Sequence, residues 1–303
     1  MNLLDTLAGT LEPHVEVRRG ETLSRHTTFG IGGPADLFVT VRDAGQLSLA
    51  VRATNESGVS LFVLGSGSNI LISDAGIRGV VIDNRARAEG SAADHTFIVE
   101  SGTSFAAFSR RMCRAGLAGL SWAVGIPGTF GGAVVYNAGA YGGCLADVLV
   151  RVELQDDTGE ARWYEASELN LVYRGSAFTR GIFSDKAVLR AEITLSEGDA
   201  KTLLAEAAAH DGKRLAAQPR GRNAGSMFKN PPQTPAWKLI DAVGLRGATR
   251  GDAAVSDLHC NFFVNYGNAD AADVAWLVAE AQRRVMDEFG ITLEREVAFV
   301  GEW

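Results

Sequence analysis

The stretch Gly125-Ile126-Pro127-Gly128-Thr129-Phe130-Gly131-Gly132, running on through Tyr136-Asn137-Ala138-Gly139-Ala140-Tyr141-Gly142, is uncharged, rich in glycine and flanked by aromatic residues. Glycines lack a Cβ, so backbone N–H groups can come close to an anion. A run of such amides forms a concave nest suited to a pyrophosphate. The composition therefore predicts a cofactor-phosphate loop. A membrane helix is the competing reading, because Gly116 to Val135 is uncharged and holds a Gly128-x-x-x-Gly132 pair. Pro127 and six glycines within those twenty residues argue against one continuous helix.

A second cluster, Leu64-Gly65-Ser66-Gly67-Ser68-Asn69, lies between the apolar runs Leu61–Leu64 and Ile70–Ile72, in the order strand, turn, strand. It departs from the dinucleotide fingerprint G-x-G-x-x-G at Ile70. Neither cluster ends in the Gly-Lys-Ser/Thr of a P-loop. A third, Thr27-Thr28-Phe29-Gly30-Ile31-Gly32-Gly33-Pro34-Ala35-Asp36, completes the set within the first half of the chain. In order and spacing these clusters resemble the flavin-binding half of the UDP-N-acetylenolpyruvoylglucosamine reductases, the MurB family of cell-wall enzymes. The resemblance continues through Tyr173-Arg174-Gly175-Ser176, Asn223-Ala224-Gly225-Ser226-Met227-Phe228-Lys229-Asn230-Pro231 and Leu293-Glu294-Arg295-Glu296-Val297, almost the whole chain.

The resemblance implies an α+β protein, with a two-part FAD-binding domain of the vanillyl-alcohol-oxidase/p-cresol-methylhydroxylase type and a C-terminal α+β substrate-binding domain. It implies FAD as cofactor, NADPH as hydride donor, and UDP-N-acetylglucosamine enolpyruvate as the substrate reduced to UDP-N-acetylmuramate, both ligands using one cleft in turn. Flavin contacts fall on Thr28, Gly30, Gly65, Ser66, Gly67, Ser68 and Asn69, and on Gly125, Ile126, Pro127, Gly128, Gly131, Gly132, Asn137, Ala138 and Gly139. Catalysis falls on Arg174, Ser226 and Glu296. Hydride addition to the enolpyruvyl double bond leaves an enolate-like centre. A permanently cationic guanidinium suits that charge because it forks onto a carboxylate, and Ser226 is the implied proton donor. Tyr173, Arg214, Lys229 and Asn230 are implied substrate contacts. The compact sequence after Phe178 resembles the shorter type, which lacks an extra tyrosine-bearing loop.

Each of these residues has a plainer counterpart. Arg174 has a competing reading as a surface arginine after a strand, Ser226 as a turn serine and Tyr173 as a core tyrosine, and solvated surface accounts for Arg214 equally well. Glu294 shares a strand face with Glu296 and is the reserve carboxylate, and an alternating charged edge strand would look the same. Two other functions stay open. An FAD-dependent alcohol or aldehyde oxidase on the same flavin fold would not need the Gly225-Ser226-x-Phe228-Lys229 motif. A flavin or nucleotide sensor would not need Arg174, Ser226 and Glu296 together.

The chain has 303 residues, of which 46% are hydrophobic and 21% charged, the composition of a globular protein with room for two or three domains. A net charge of −7 gives no electrostatic reason to expect nucleic acid or an anionic membrane as partner. Cys113, Cys144 and Cys260 are odd in number and far apart, which suggests neither a disulfide framework nor a zinc site and fits a cytoplasmic setting. The opening Met1-Asn2-Leu3-Leu4-Asp5 lacks the features of a signal peptide.

Stepwise patterning predicts the supporting elements. Leu3, Leu4, Leu7 and Leu11 share a helical face, and Leu37–Val41 reads as a strand. A helix from Asp43 to Gly58 buries Leu47, Ala50 and Val51, and Val80–Ile82 and Thr96–Glu100 are strands. Ser104 caps a helix bearing Phe105, Phe108, Met112 and Ala115 that ends at Gly116. Val148–Leu154 and Ala161–Tyr164 form a hairpin across Asp157–Gly159, and Ala187–Leu195 is a strand. Lys201–Leu215 and Trp237–Val243 are helices and Cys260–Val264 a strand. Asp273–Phe289 is a helix with Val274, Leu277, Val278, Ala281, Val285 and Phe289 on one stripe, and Leu293–Val300 is a closing strand. The expected division is 1–84 and 85–198 as FAD-binding subdomains and 199–303 as the substrate-binding domain.

Overall fold

Helix ends follow local chemistry. Helix α1 (Leu3–Leu11) begins at Asn2, whose carboxamide accepts from the Leu4 amide, and it buries Leu7, Ala8 and Leu11 while Leu3 faces solvent. Helix α2 (Ala44–Glu56) is capped by Asp43, which accepts from the Gln46 amide at 2.8 Å, and stops before Gly58 at φ +70°. Helix α3 (Phe105–Arg114) is capped by Ser104, and Gly116 follows it at φ +75°. Helices α4 (Phe130–Tyr136), α5 (Ala200–Ala217), α6 (Ala236–Ala242) and α7 (Ala271–Phe289) follow. The molecule is a computed structural model that describes residues 2–303. It divides into two compact units: Met1–Arg19, Asp36–Gly65 and Gly79–Lys213 make one, and Gly20–Ala35, Ser66–Arg78 and Arg214–Trp303 the other.

The first unit is built on two sheets. One has the strand order Glu16–Thr22, Pro34–Val41, Ile77–Asn84, Leu61–Leu64, with the last pair parallel. Helices α1 and α2 cover it through Leu7, Leu11, Leu47, Ala50 and Val51, packed on Leu37, Val39, Val80 and Ile82. The other has five strands, in the order Ala161–Glu165, Leu149–Gln155, Ala187–Thr194, Thr96–Glu100, Glu89–Ala93. Beneath it Phe130 meets Phe105 and Phe108 edge-on, both at 5.1 Å between ring centroids. Such aromatic pairs add about 0.5–1.5 kcal/mol each beyond area burial. Residues 116–135 are not one helix. They pass through the short strand Leu117–Ala118, a turn at Ser121–Ala123 and the loop into α4, and no helix among the described residues is long and apolar enough to cross a membrane.

The second unit packs α6 and α7 around Phe29, Ile31, Leu71, Met227, Phe228, Phe263 and Leu293. Helix α7 buries Val274, Leu277, Val278, Ala281 and Val285 as its periodicity predicts, but Phe289, in its last turn, is exposed. The strand expected over 293–300 is regular only at Ala298–Val300, which pairs in parallel with Ile70–Ile72. Residues 294–296 bond instead to the segment 227–229, so the chain changes partners midway and makes no continuous ladder. The Cys260–Val264 strand is displaced to Phe263–Asn265, because Asn261 turns its peptide toward Met227.

Helix α7 lacks a cap from its own preceding residue, Asp270. Asp74 supplies it from elsewhere in the chain, accepting from the amides of Ala271 at 2.8 Å and Ala272 at 3.1 Å. Replacing Asp74 by Ala should lower stability by about 1–2 kcal/mol, the usual worth of a cap. Denaturant unfolding reads this directly, and a midpoint equal to that of the parent would show that the cap is dispensable.

Candidate active site

In the first unit, the strand Leu61–Leu64 delivers Gly65 against the start of α4. A Cβ on Gly65 would lie 2.6 Å from the Thr129 hydroxyl, so Gly65 closely approaches the loop that enters α4. The loop before α4 is pinned by its own backbone. Phe105 N donates to Gly128 O at 3.0 Å, Phe130 N to Thr103 O at 2.9 Å and Gly131 N to Ser101 O at 2.8 Å. Gly128 sits at φ +140°. The amide of Ala138 donates to Ala133 O and its carbonyl accepts from Leu145 N. The amides of Gly131 and Ala138 are therefore already committed. Asn137 closes α4 in the left-handed conformation, and its buried carboxamide donates to Val172 O at 3.0 Å and accepts from Ala146 N at 3.1 Å.

Those bonds from Asn137 bring in the arginine turn. Val172 and Gly175 pair across a two-residue turn that holds Tyr173 and Arg174. The hydroxyl of Ser176, fully buried, donates to Val135 O at 2.6 Å. Both flanks of the turn are thus fastened to α4. Arg174 takes φ +51°, a conformation that costs a non-glycine residue roughly 1–2 kcal/mol. Its guanidinium lies 5.7 Å from the Tyr173 ring centroid, and Tyr173 is 61% exposed, which rules out the core-tyrosine reading.

In the second unit, Ser226 and Glu296 are brought onto adjoining segments. Ser226 forms a bridge with Phe262, Phe228 one with Arg295, and Glu296 N donates to Met227 O at 2.8 Å. Gly225, at φ +80°, is turned by the Asn223 side chain, which accepts from its amide at 3.0 Å. Both Ser226 and Glu296 are half-buried. Glu294 differs: its side chain is 70% exposed and takes the Lys229 ammonium at 2.5 Å. That pairing separates the two glutamates and engages Lys229. Asn230 uses its carboxamide oxygen to accept from Ala236 N at the start of α6. Arg214 lies on α5, three residues before its last residue, Ala217.

The loop Ser66–Asn69 belongs to this second unit. Gly67, at φ +61°, passes so close to His26 that a Cβ would lie 2.2 Å from the His26 carbonyl oxygen. Thr28 N donates to Gly67 O at 3.0 Å, and the Thr28 hydroxyl donates to Asn223 O at 2.7 Å. Gly30, at φ +67°, lies against the Arg222 side chain. The amides of Ser66 and Gly67 meet no acceptor among the described residues, and the Ser66 and Ser68 hydroxyls lie 3.2 Å apart. Asn69 turns its side-chain nitrogen to Glu296 O at 3.1 Å.

Sequence reasoning missed Asn261. It is 2% exposed; its side chain accepts from Phe228 N at 2.9 Å and donates to Phe228 O at 2.8 Å, while its carbonyl accepts from Met227 N at 2.7 Å. The carboxamide acts as a substitute peptide group for the segment that carries Ser226. No periodicity marks such a residue, because its partners lie far away in sequence.

Residues 35–165 match the family FAD binding domain, and residues 217–300 match the family UDP-N-acetylenolpyruvoylglucosamine reductase, C-terminal domain. The UDP-N-acetylenolpyruvoylglucosamine reductase of Carboxydothermus hydrogenoformans is 41% identical over 289 residues, covering 94% of this chain and 94% of that one. That of Moorella thermoacetica is 37% identical over 302 residues, covering 99% of each. The crystal structure of UDP-N-acetylenolpyruvylglucosamine reductase (MurB) from Thermus caldophilus is similar with a TM-score of 0.79 and 36% identity, covering 94% of this chain and 98% of that chain.

The donor set fits FAD. Residues 61–73 and 116–146 carry no charged side chain to repel a pyrophosphate. Gly132 makes the same point by contrast with Gly65 and Gly67. It is exposed in α4, and a Cβ there would meet only the Thr129 hydroxyl, at 3.7 Å. The fold itself would be content with alanine, which helices favour over glycine by about 1 kcal/mol. A glycine there leaves room for the close approach of a ligand. Gly132→Val should therefore fold normally yet purify with little FAD, whereas a valine at Gly67 would strike the protein itself. Flavin content by absorbance, alongside thermal unfolding, checks this, and full occupancy would move the cofactor away from α4.

Proposed function

The chain belongs to the UDP-N-acetylenolpyruvoylglucosamine reductase family, FAD-dependent oxidoreductases of peptidoglycan precursor synthesis, and from that premise we propose that it reduces UDP-N-acetylglucosamine enolpyruvate to UDP-N-acetylmuramate with NADPH as hydride donor. We place the reaction in the cytoplasm, where three free cysteines stay reduced. In this reading residues 1–84 and 85–198 are FAD-binding subdomains and 199–303 the substrate-binding domain, with 20–35 and 66–78 contributing to the compact unit of the latter. Bound FAD supplies the two-electron carrier that accepts hydride and passes it on.

The protein's own residues do the rest. The loops at Gly65–Asn69 and Gly125–Gly139, with Thr28 and Gly30, line the cofactor, and the Ser66 and Gly67 amides with the Ser66 and Ser68 hydroxyls are the donors that meet its phosphates. Tyr173, Arg214, Lys229 and Asn230 bind the UDP-sugar. Arg174 forks onto the substrate carboxylate and stabilises the enolate-like charge that follows hydride addition; its strained conformation supports this, since strain concentrates where function requires it. The Ser226 hydroxyl then gives its proton to the enolate-like carbon, and solvent returns one to the serine oxygen. Glu296, with Arg174, holds that centre until the proton arrives. The observation that supports this reading is the backbone join at Met227, which brings the segments carrying Ser226 and Glu296 next to each other.

The two half-reactions separate the roles. Reduction of the flavin by NADPH requires no proton from the protein at the substrate carbon, so Ser226→Ala should leave it largely intact. Reoxidation by the enolpyruvyl substrate ends in protonation, and removing the donor should slow it by on the order of 10²- to 10⁴-fold. Anaerobic stopped-flow absorbance follows each half. A variant that reoxidises like the parent, or loses both halves equally, would reduce Ser226 to a structural residue.

A further inference from the structure

Several short segments of the second unit are joined edge to edge. Ser226 bridges Phe262, Phe228 bridges Arg295, and Ala298–Val300 pairs in parallel with Ile70–Ile72. The parallel pairing registers the C-terminal strand against the segment that follows the Gly65–Asn69 loop. Ala298 N donates to Asn69 O at 3.1 Å, Ser73 N to Val300 O at 2.9 Å and Glu302 N to Gly76 O at 3.2 Å. Glu296 lies two residues ahead of that ladder. Its amide goes to Met227 O at 2.8 Å, and its carbonyl receives the Asn69 side-chain nitrogen at 3.1 Å. A carbonyl oxygen can only accept, so the Asn69 carboxamide must present its nitrogen. It stands where the next ladder amide would stand, and extends the register one step to the glutamate.

We propose that Asn69 is a positioning residue for Glu296: its side-chain amide fixes the peptide from which the Glu296 carboxyl group projects and locks that peptide to the Gly65–Asn69 loop. This rests on the reading of Glu296 as part of the reaction. The resemblance assigns Asn69 to the flavin, but the hydrogen bond directs its side-chain nitrogen to the catalytic strand. Phosphate loop and carboxyl group then share one frame, so the loop that seats the cofactor also sets the height of Glu296. Rotation of the Glu296 peptide is amplified at the end of a three-bond side chain. A shift of about 1 Å at a reacting group costs on the order of 100-fold in rate. The Met227 bond and the parallel ladder survive loss of Asn69, which makes roughly 10-fold the expected effect.

The test uses the FAD-loaded full chain with Asn69→Ala, the isosteric Asn69→Asp, which lacks the donor, Glu296→Gln, and the Asn69→Ala/Glu296→Gln double variant. Flavin content, thermal unfolding and both half-reactions are measured for each. Reoxidation by the enolpyruvyl substrate should slow roughly 10-fold in Asn69→Ala and at least as much in Asn69→Asp; in Asn69→Ala flavin content and reduction by NADPH should match the parent, with the melting temperature lowered only by the loss of one hydrogen bond. In the Glu296→Gln background, Asn69→Ala should cost nothing further, because it acts through the group already removed. Fully additive losses with a slow Glu296→Gln would overturn the inference alone, as would equal slowing of both half-reactions. Loss of FAD from the Asn69 variants would make Asn69 a cofactor ligand instead. Parental reoxidation by Glu296→Gln would overturn the underlying reading of Glu296 and this inference with it.

Discussion

The peptide unit around Met227 is the joint on which the second unit's chemistry depends. Its nitrogen donates to Asn261 O at 2.7 Å and its carbonyl accepts from Glu296 N at 2.8 Å. The segment carrying Ser226 is therefore the middle of three irregular strands, and the side chain of Asn261 completes the pairing at Phe228. Buried backbone groups left without partners cost about 1–3 kcal/mol each, so this joint is made or lost as a whole. Ser226 and Glu296 inherit their places from it.

The first unit is governed by a different constraint. An uncharged, glycine-rich stretch must be held still although it has few side chains of its own to pack. Phe105, Phe108 and Phe130 fix the start of α4 by packing, and Thr103, Ser101 and Phe105 take the backbone groups around Gly128. Asn137 and Ser176 then tie the far end of α4 to the turn of Arg174. The glycine-rich stretch and the turn of Arg174 are thereby parts of one local structure. The exposed Gly132 stands out within it, because nothing in the protein calls for a glycine there.

Much of this was legible in the sequence where cause and effect lie close together. Asp43, Ser104 and Gly58 end helices through contacts within a turn, and α2 and α7 bury the stripes their periodicity marks. Phe289 broke the stripe because the last turn of α7 lies beyond the core. The closing strand is shorter than its alternation predicts, since alternation registers an extended chain but not its change of partner from 227–229 to 70–72. The linear boundaries at 84 and 198 cannot express a unit that gathers 20–35 and 66–78 with the C-terminal third. Asn261, Asp74 and the bond from Asn69 to Glu296 had no local signature, for each joins residues 33 or more positions apart. Glycine clusters are legible in the sequence, but which glycines serve the fold and which leave space for a ligand depends on what a Cβ would touch.

The most direct test of the account is an anaerobic titration of the purified protein followed by absorbance. The flavin band should be present at the outset, bleach on addition of NADPH, and return on addition of UDP-N-acetylglucosamine enolpyruvate without any oxygen. A protein that holds no flavin, or whose reduced flavin is reoxidised by oxygen but not by the enolpyruvyl substrate, would contradict the account.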